Sequence, residues 1–200
     1  MMLNSYIVKG KTGYYAELIQ QKHPEYKGLD GIIWPLWEGD AQKVKDTNSC
    51  LCAEIKQCIN YNQYNIIGGC TDLSFLNQYI SICVKINLPI EVLSCVICEE
   101  KGIEEKEFDV KQYFFLGYDY VLKGSYYSPL VQEIEYIKEF CNIKLNDNGL
   151  IKTYSEALQF VHARKEAKET NNGIGFEYGE DFVDYCIVAL FKYIGYFPIN

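Results

Sequence analysis

Gly68-Gly69-Cys70-Thr71-Asp72 has the residue types of a nucleophilic turn. A thiol between the end of a strand and the first turn of a helix feels the helix dipole, which lowers its pKa and favours the thiolate that attacks a carbonyl. Such a thiol needs a base, and the chain has 2 histidines. His23 precedes Pro24 in a polar stretch, and His162 lies beside Val161, close to Arg164 and Lys165; neither has an orienting carboxylate near it in sequence. Two readings stay open: a cysteine-dependent hydrolase or transferase using Cys70 with His162, or a glycine turn followed by Asp72 as a helix N-cap, which explains every residue without chemistry.

Other constellations are incomplete. Cys95-Val96-Ile97-Cys98 is a C-x-x-C, but a zinc site needs two further ligands at similar spacing, whereas Cys50 and Cys52 are separated by one residue and the histidines stand apart. Residues three apart on a strand point to opposite faces, so core thiols are expected here. Gly10-Lys11-Thr12 has the ending of a phosphate-binding loop, but the position five residues before Gly10 is Ser5 where that loop requires glycine. No metal and no cofactor is expected.

Binding chemistry is better represented. Trp34-Pro35-Leu36-Trp37 places both tryptophans in one loop, followed by Glu38 and Asp40, where large aromatics serve either as anchors onto the domain or as hot spots for a partner. Glu99, Glu100, Glu104 and Glu105, continued by Glu107 and Asp109, form the densest acidic segment. It reads as a solvated connector or as the electrostatic complement of a basic partner. The 18 tyrosines supply contact area at little entropic cost. With 19 Lys plus Arg against 27 Asp plus Glu, the formal charge of −8 argues against gripping nucleic acid or anionic lipid through phosphates. Arg164 is the lone arginine, which excludes a guanidinium cluster for phosphoryl transfer.

These residues must be positioned by elements, and 200 residues with 48% hydrophobic and 23% charged side chains can bury a core unaided. No repeat or Pro/Gly/Ser linker interrupts the chain, so one globular domain over residues 1–200 is expected. Met1 to Gly10 lacks the features of a secretory signal, and no apolar run approaches the roughly 18 residues of a membrane span, so a cytoplasmic protein is expected. Ser5 to Lys9 alternates as a strand; Tyr14 to Gln21 is its hairpin partner or a short helix. Helical spacing runs from Cys50 to Asn62, and Tyr64 to Ile67 has the composition of a short strand. A helix carrying Leu76, Tyr79, Ile80 and Cys83 on one stripe ends before Pro89. Ile90 to Glu99 and Tyr113 to Val121 are strands. Ser128-Pro129 opens a helix lined by Leu130, Ile134, Ile137 and Cys141. Thr153 to Glu156 is a capping box, with Tyr154, Ala157, Leu158 and Val161 on one side of the helix that follows. Val183 to Tyr193 alternates as a closing strand, and the apolar tail Phe182 to Phe197, with Asp184 and Lys192 in it, reads as a core strand. The order lacks a regular βαβ rhythm, so the expected class is α+β, a mixed or antiparallel sheet carrying amphipathic helices, with α/β as the alternative.

Phe114-Phe115-Leu116-Gly117-Tyr118-Asp119-Tyr120 and the following Ser125-Tyr126-Tyr127-Ser128, with Leu145-Asn146-Asp147-Asn148-Gly149-Leu150 leading into Thr153 to Phe160, resemble a pattern in bacterial immunity proteins of polymorphic or contact-dependent toxin systems. The resemblance covers about residues 113–162. It implies a non-enzymatic cytoplasmic protein that binds a cognate toxin domain, here a basic one, and blocks it. The Leu-Gly-Tyr-Asp core also has a structural reading, with Gly117 at a bulge or close approach and Asp119 bonding backbone in the following turn.

The 9 cysteines are odd in number and sit mostly in apolar stretches, as reduced thiols used as small hydrophobes do. Thiol titration after denaturation without reductant is expected to recover all of them; recovery of two or more fewer would reveal a disulfide.

Overall fold

The computed structural model describes residues 6–10, 21–26, 73–98, 100–104, 108–122, 130, 134–169 and 185–194. In chain order these hold β1 (Tyr6–Gly10), α1 (Leu73–Lys85), β2 (Ile90–Cys98), β3 (Tyr113–Leu122), α2 (Ile134–Phe140), α3 (Tyr154–Glu169) and β4 (Tyr185–Tyr193). The strands form a four-stranded sheet in the order β1-β2-β4-β3, with every pairing antiparallel. This is the expected α+β class; the α/β alternative needs parallel strands, and the described ones have none. The helix expected over Cys50 to Asn62 and the strand over Tyr64 to Ile67 lie outside the described residues.

β4 is the core strand that its apolar sequence predicts. Its centre, Ile187 to Phe191, is buried at every position. A central strand covered on both faces has no solvent side, so its sequence reads as a continuous apolar run. Register with side-chain alternation assigns Leu93, Cys95, Val188, Leu190 and Asp119 to one face, and Tyr6, Val92, Phe115, Tyr118 and Phe191 to the other.

Helices α1 and α2 pack by their predicted stripes. On α1, Leu76, Tyr79, Ile80 and Cys83 are buried against Tyr6, with Ile90, Val92, Tyr113 and Tyr193 alongside. That helix stops where Asn87 turns left-handed at φ 53°, with Leu88 N–H donating to the Cys83 carbonyl at 2.8 Å and Asn87 N–H to that of Val84 at 3.1 Å. These paired bonds satisfy carbonyls that the helix end leaves open, and Pro89 then prevents continuation. Leu130, Ile134, Ile137 and Cys141 are all buried, although α2 itself begins at Ile134, and Ser128 and Pro129 lie outside the described residues. The end of α2 is tied to α3 by Gln159 Nε2 donating to the Cys141 carbonyl at 3.3 Å.

The capping box forms as expected. Glu156 N–H donates to Thr153 Oγ1 at 3.2 Å, and Thr153 N–H donates back to Glu156 Oε2 at 3.1 Å. Along α3, Ala157, Phe160 and Val161 are buried, whereas Leu158 is exposed. Phe160 takes the place expected for Leu158, stacking edge-on against Tyr120 at 4.8 Å between ring centroids.

The outer edge of β3 is closed by a turn packed against it. The register shifts between Phe115 and Gly117, where Gly117 has φ 144°. A side chain at Gly117 would begin 2.7 Å from Leu150 Cβ and 2.7 Å from Asn146 Nδ2. Beyond this bulge Tyr118 and Ile151 exchange backbone hydrogen bonds of 2.8 and 2.9 Å. Asn146 Nδ2 donates to the Leu116 carbonyl at 2.7 Å, and Asn146 Oδ1 accepts from the amides of Asn148 and Leu150 at 2.9 and 3.1 Å. Asp119 Oδ1 accepts from the adjacent Tyr120 amide inside the strand at 2.7 Å, and the turn that follows β3 lies outside the described residues.

Gly117→Ala combines a left-side φ with a collision against backbone and Cβ atoms, and is expected to destabilise the fold by about 3 kcal/mol in urea unfolding. A loss below about 0.5 kcal/mol would mean that the bulge relaxes freely.

Candidate partner-binding surface

The acidic segment between β2 and β3 is held against the sheet by residues of its own. Ile103 N–H donates to Tyr118 Oη at 3.0 Å. Gly102 lies so close beneath that a Cβ there would stand 2.6 Å from Tyr154 Cβ and 2.7 Å from Tyr118 Oη. Only glycine permits that approach. Tyr118 and Tyr154 themselves meet edge-on at 6.0 Å, so the docking point joins β3 to the first turn of α3.

The far end is anchored too. Phe108 packs edge-on against the buried Phe191 at 4.7 Å. Asp109 closes a turn in which its Oδ1 accepts from the Lys111 amide at 2.9 Å and its carbonyl accepts from the amides of Gln112 and Tyr113, each at 2.9 Å. Ile103 and Phe108 thus face the core while Glu100, Glu104 and Asp109 face solvent. Its described parts, residues 100–104 and 108–109, form an acidic strap with apolar feet. Burial raises the Tyr154 phenol, with the Cys98 thiol and then Glu100 adding to it.

Of the residues singled out from sequence, Glu100, Glu104 and Asp109 are on this strap. Glu99, Glu105 and Glu107 lie outside the described residues, as do Trp34 and Trp37. Cys70 also lies outside them, and His162 is exposed on α3. The Cys95 thiol is pushed strongly upward, first by burial and then by the charge of Asp119, so it stays protonated and cannot serve as a nucleophile at neutral pH. Cys95 and Cys98 are both buried thiols outside any disulfide, as the core-thiol reading expects, along with Cys83 and Cys141; Cys186 is a half-buried thiol. Among the described residues no three His, Cys, Asp or Glu side chains converge as metal ligands. No described helix is long and apolar enough to cross a membrane.

A tyrosine cluster went unrecognised in the sequence. Tyr6 and Tyr113 share a hydroxyl–hydroxyl hydrogen bond of 2.6 Å, and Tyr193 meets both rings edge-on at 5.7 and 5.3 Å. It joins the start of β1 to the turn that ends the strap. Only the strand register brings these residues together, and no local spacing carries that information.

Comparison with protein-family models, with curated proteins and with solved structures finds no match to this chain.

Burial raises the Tyr113 and Tyr193 phenols as well as the Cys95 thiol. The unfolded chain therefore loses these protons at lower pH than the native one, and native stability falls as pH rises above the ordinary thiol and phenol values. Urea midpoints are expected to decline steadily from about pH 9 upward, where free thiols and then phenols titrate. A midpoint that holds through pH 11 would contradict the protonated assignment.

Proposed function

We propose that the chain is a cytoplasmic immunity protein that binds a cognate bacterial toxin domain of basic character and neutralises it without chemistry of its own. The observation that supports this reading most is the acidic segment, whose described carboxylates, Glu100, Glu104 and Asp109, face solvent beside the docked Ile103 and Phe108. A charged surface already ordered loses little conformational freedom on binding, and opposite charge steers the partner toward it. The formal charge of −8 extends the same field over the whole molecule. Two of the stretches that resemble immunity proteins, Phe114–Tyr120 and Leu145–Leu150, meet at the Gly117 bulge, and the first carries Tyr118, the strap's docking residue.

Co-expression with the C-terminal domain of a toxin encoded beside this chain is expected to restore growth and yield a stable complex. Unchanged toxicity with no complex would refute the reading. In that complex, Glu100→Lys with Glu104→Lys is expected to slow association about tenfold at low salt and to flatten its salt dependence, with little change in dissociation. A rate insensitive to both substitutions would place the steering charges elsewhere.

A further inference from the structure

Val110, Phe114 and Ile194 are large apolar side chains left in water at one corner of the sheet, at 51%, 58% and 52% exposure. The backbone gathers them there. Phe114 is the register partner of Lys192, two residues before Ile194. Ile194 N–H donates to the Gln112 carbonyl at 2.8 Å, and Val110 sits in the turn that Asp109 closes. Alternation directs Phe114 to the face opposite Tyr113 and Phe115, the same face as Lys192, whose ammonium is 2.7 Å from Glu91 Oε1.

The corner lies where the strap runs into β3, so exposed carboxylates and exposed apolar groups follow one another along the chain. Charged groups ring the corner: Lys192 paired to Glu91, and the Asp109 carboxylate, which takes the Lys111 backbone amide. Apolar groups at the centre of a contact with charge around them is the pattern of a binding hot spot. We infer that Val110, Phe114 and Ile194 are the apolar anchor for the basic toxin domain, receiving an apolar side chain of that domain that stands among lysines or arginines. The inference rests on the function proposed above. A second copy of this chain is the poorer occupant, because each copy carries −8 and would bring its own acidic strap to the contact.

The test uses the full chain, the toxin domain encoded beside it as probe, surface kinetics and light scattering. Phe114→Ser with Ile194→Ser is expected to speed dissociation at least 30-fold with association little changed. Val84→Ser, at an exposed apolar position on α1, is expected to leave both rates alone. Ile194→Ser alone, just beyond the end of β4, gives the same direction of effect should the strand substitution disturb folding. A wild-type complex whose dissociation shifts less than twofold in the double variant would overturn the anchor while the immunity reading stands. A wild-type homodimer that Phe114→Ser separates would overturn it in favour of a second copy. Absence of any wild-type complex would remove both, and that result is read before any variant is made.

Discussion

The architecture depends on how the outer edge of β3 is closed. An edge strand offers unpaired amides and carbonyls to any passing chain. Here Gly117 makes the bulge that lets the turn at Asn146 to Gly149 come close. Asn146 and Asn148 then take the Leu116 carbonyl, Ile151 pairs with Tyr118, and the Asp119 carboxylate takes the Tyr120 amide. Burying a carboxylate for that purpose is expensive unless it is hydrogen-bonded, and Asp119 is 1% exposed. Its bond to the Tyr120 amide offsets part of that cost.

From this closed edge the rest follows in order. Ile151 leads two residues later into the capping box, so the edge fixes where α3 starts. The start of α3 sets Tyr154 against Tyr118, and that pair forms the floor on which Gly102 and Ile103 rest. A hydrogen bond such as Ile103 to Tyr118 contributes about 1 kcal/mol, and burying much of a phenylalanine such as Phe108 about 1.5–3 kcal/mol. Exposed ion pairs do less. Glu25 and Lys138 stand 3.0 Å apart at the surface, but it is the burial of Tyr26 that fixes residues 21–26 onto the core.

Sequence patterns were sufficient where one element decides the outcome. The stripe on α1, the capping box before α3, the strand character of Ile90 to Cys98 and the turn after Asn146 all arise from neighbours along the chain. They failed where distant elements share a surface. Leu158 fits a helical stripe, yet the Tyr120 ring selects Phe160 instead. The acidic run from Glu99 to Asp109 was visible as charge, but its docking depends on Tyr118 and Tyr154, which lie on other elements. Phe114 was noticed as part of a motif; its exposure could not be read, since a strand pattern does not say which end of the sheet lies open.

Amide hydrogen exchange of the free protein tests most directly whether the strap is held before any partner arrives. The Ile103 amide, bonded to Tyr118 Oη, is expected to exchange at least 100-fold more slowly than an unstructured amide of the same sequence, and to lose that protection in Tyr118→Phe. Exchange of Ile103 at the unstructured rate in the wild type would show that the acidic surface is not pre-formed, and would contradict the account.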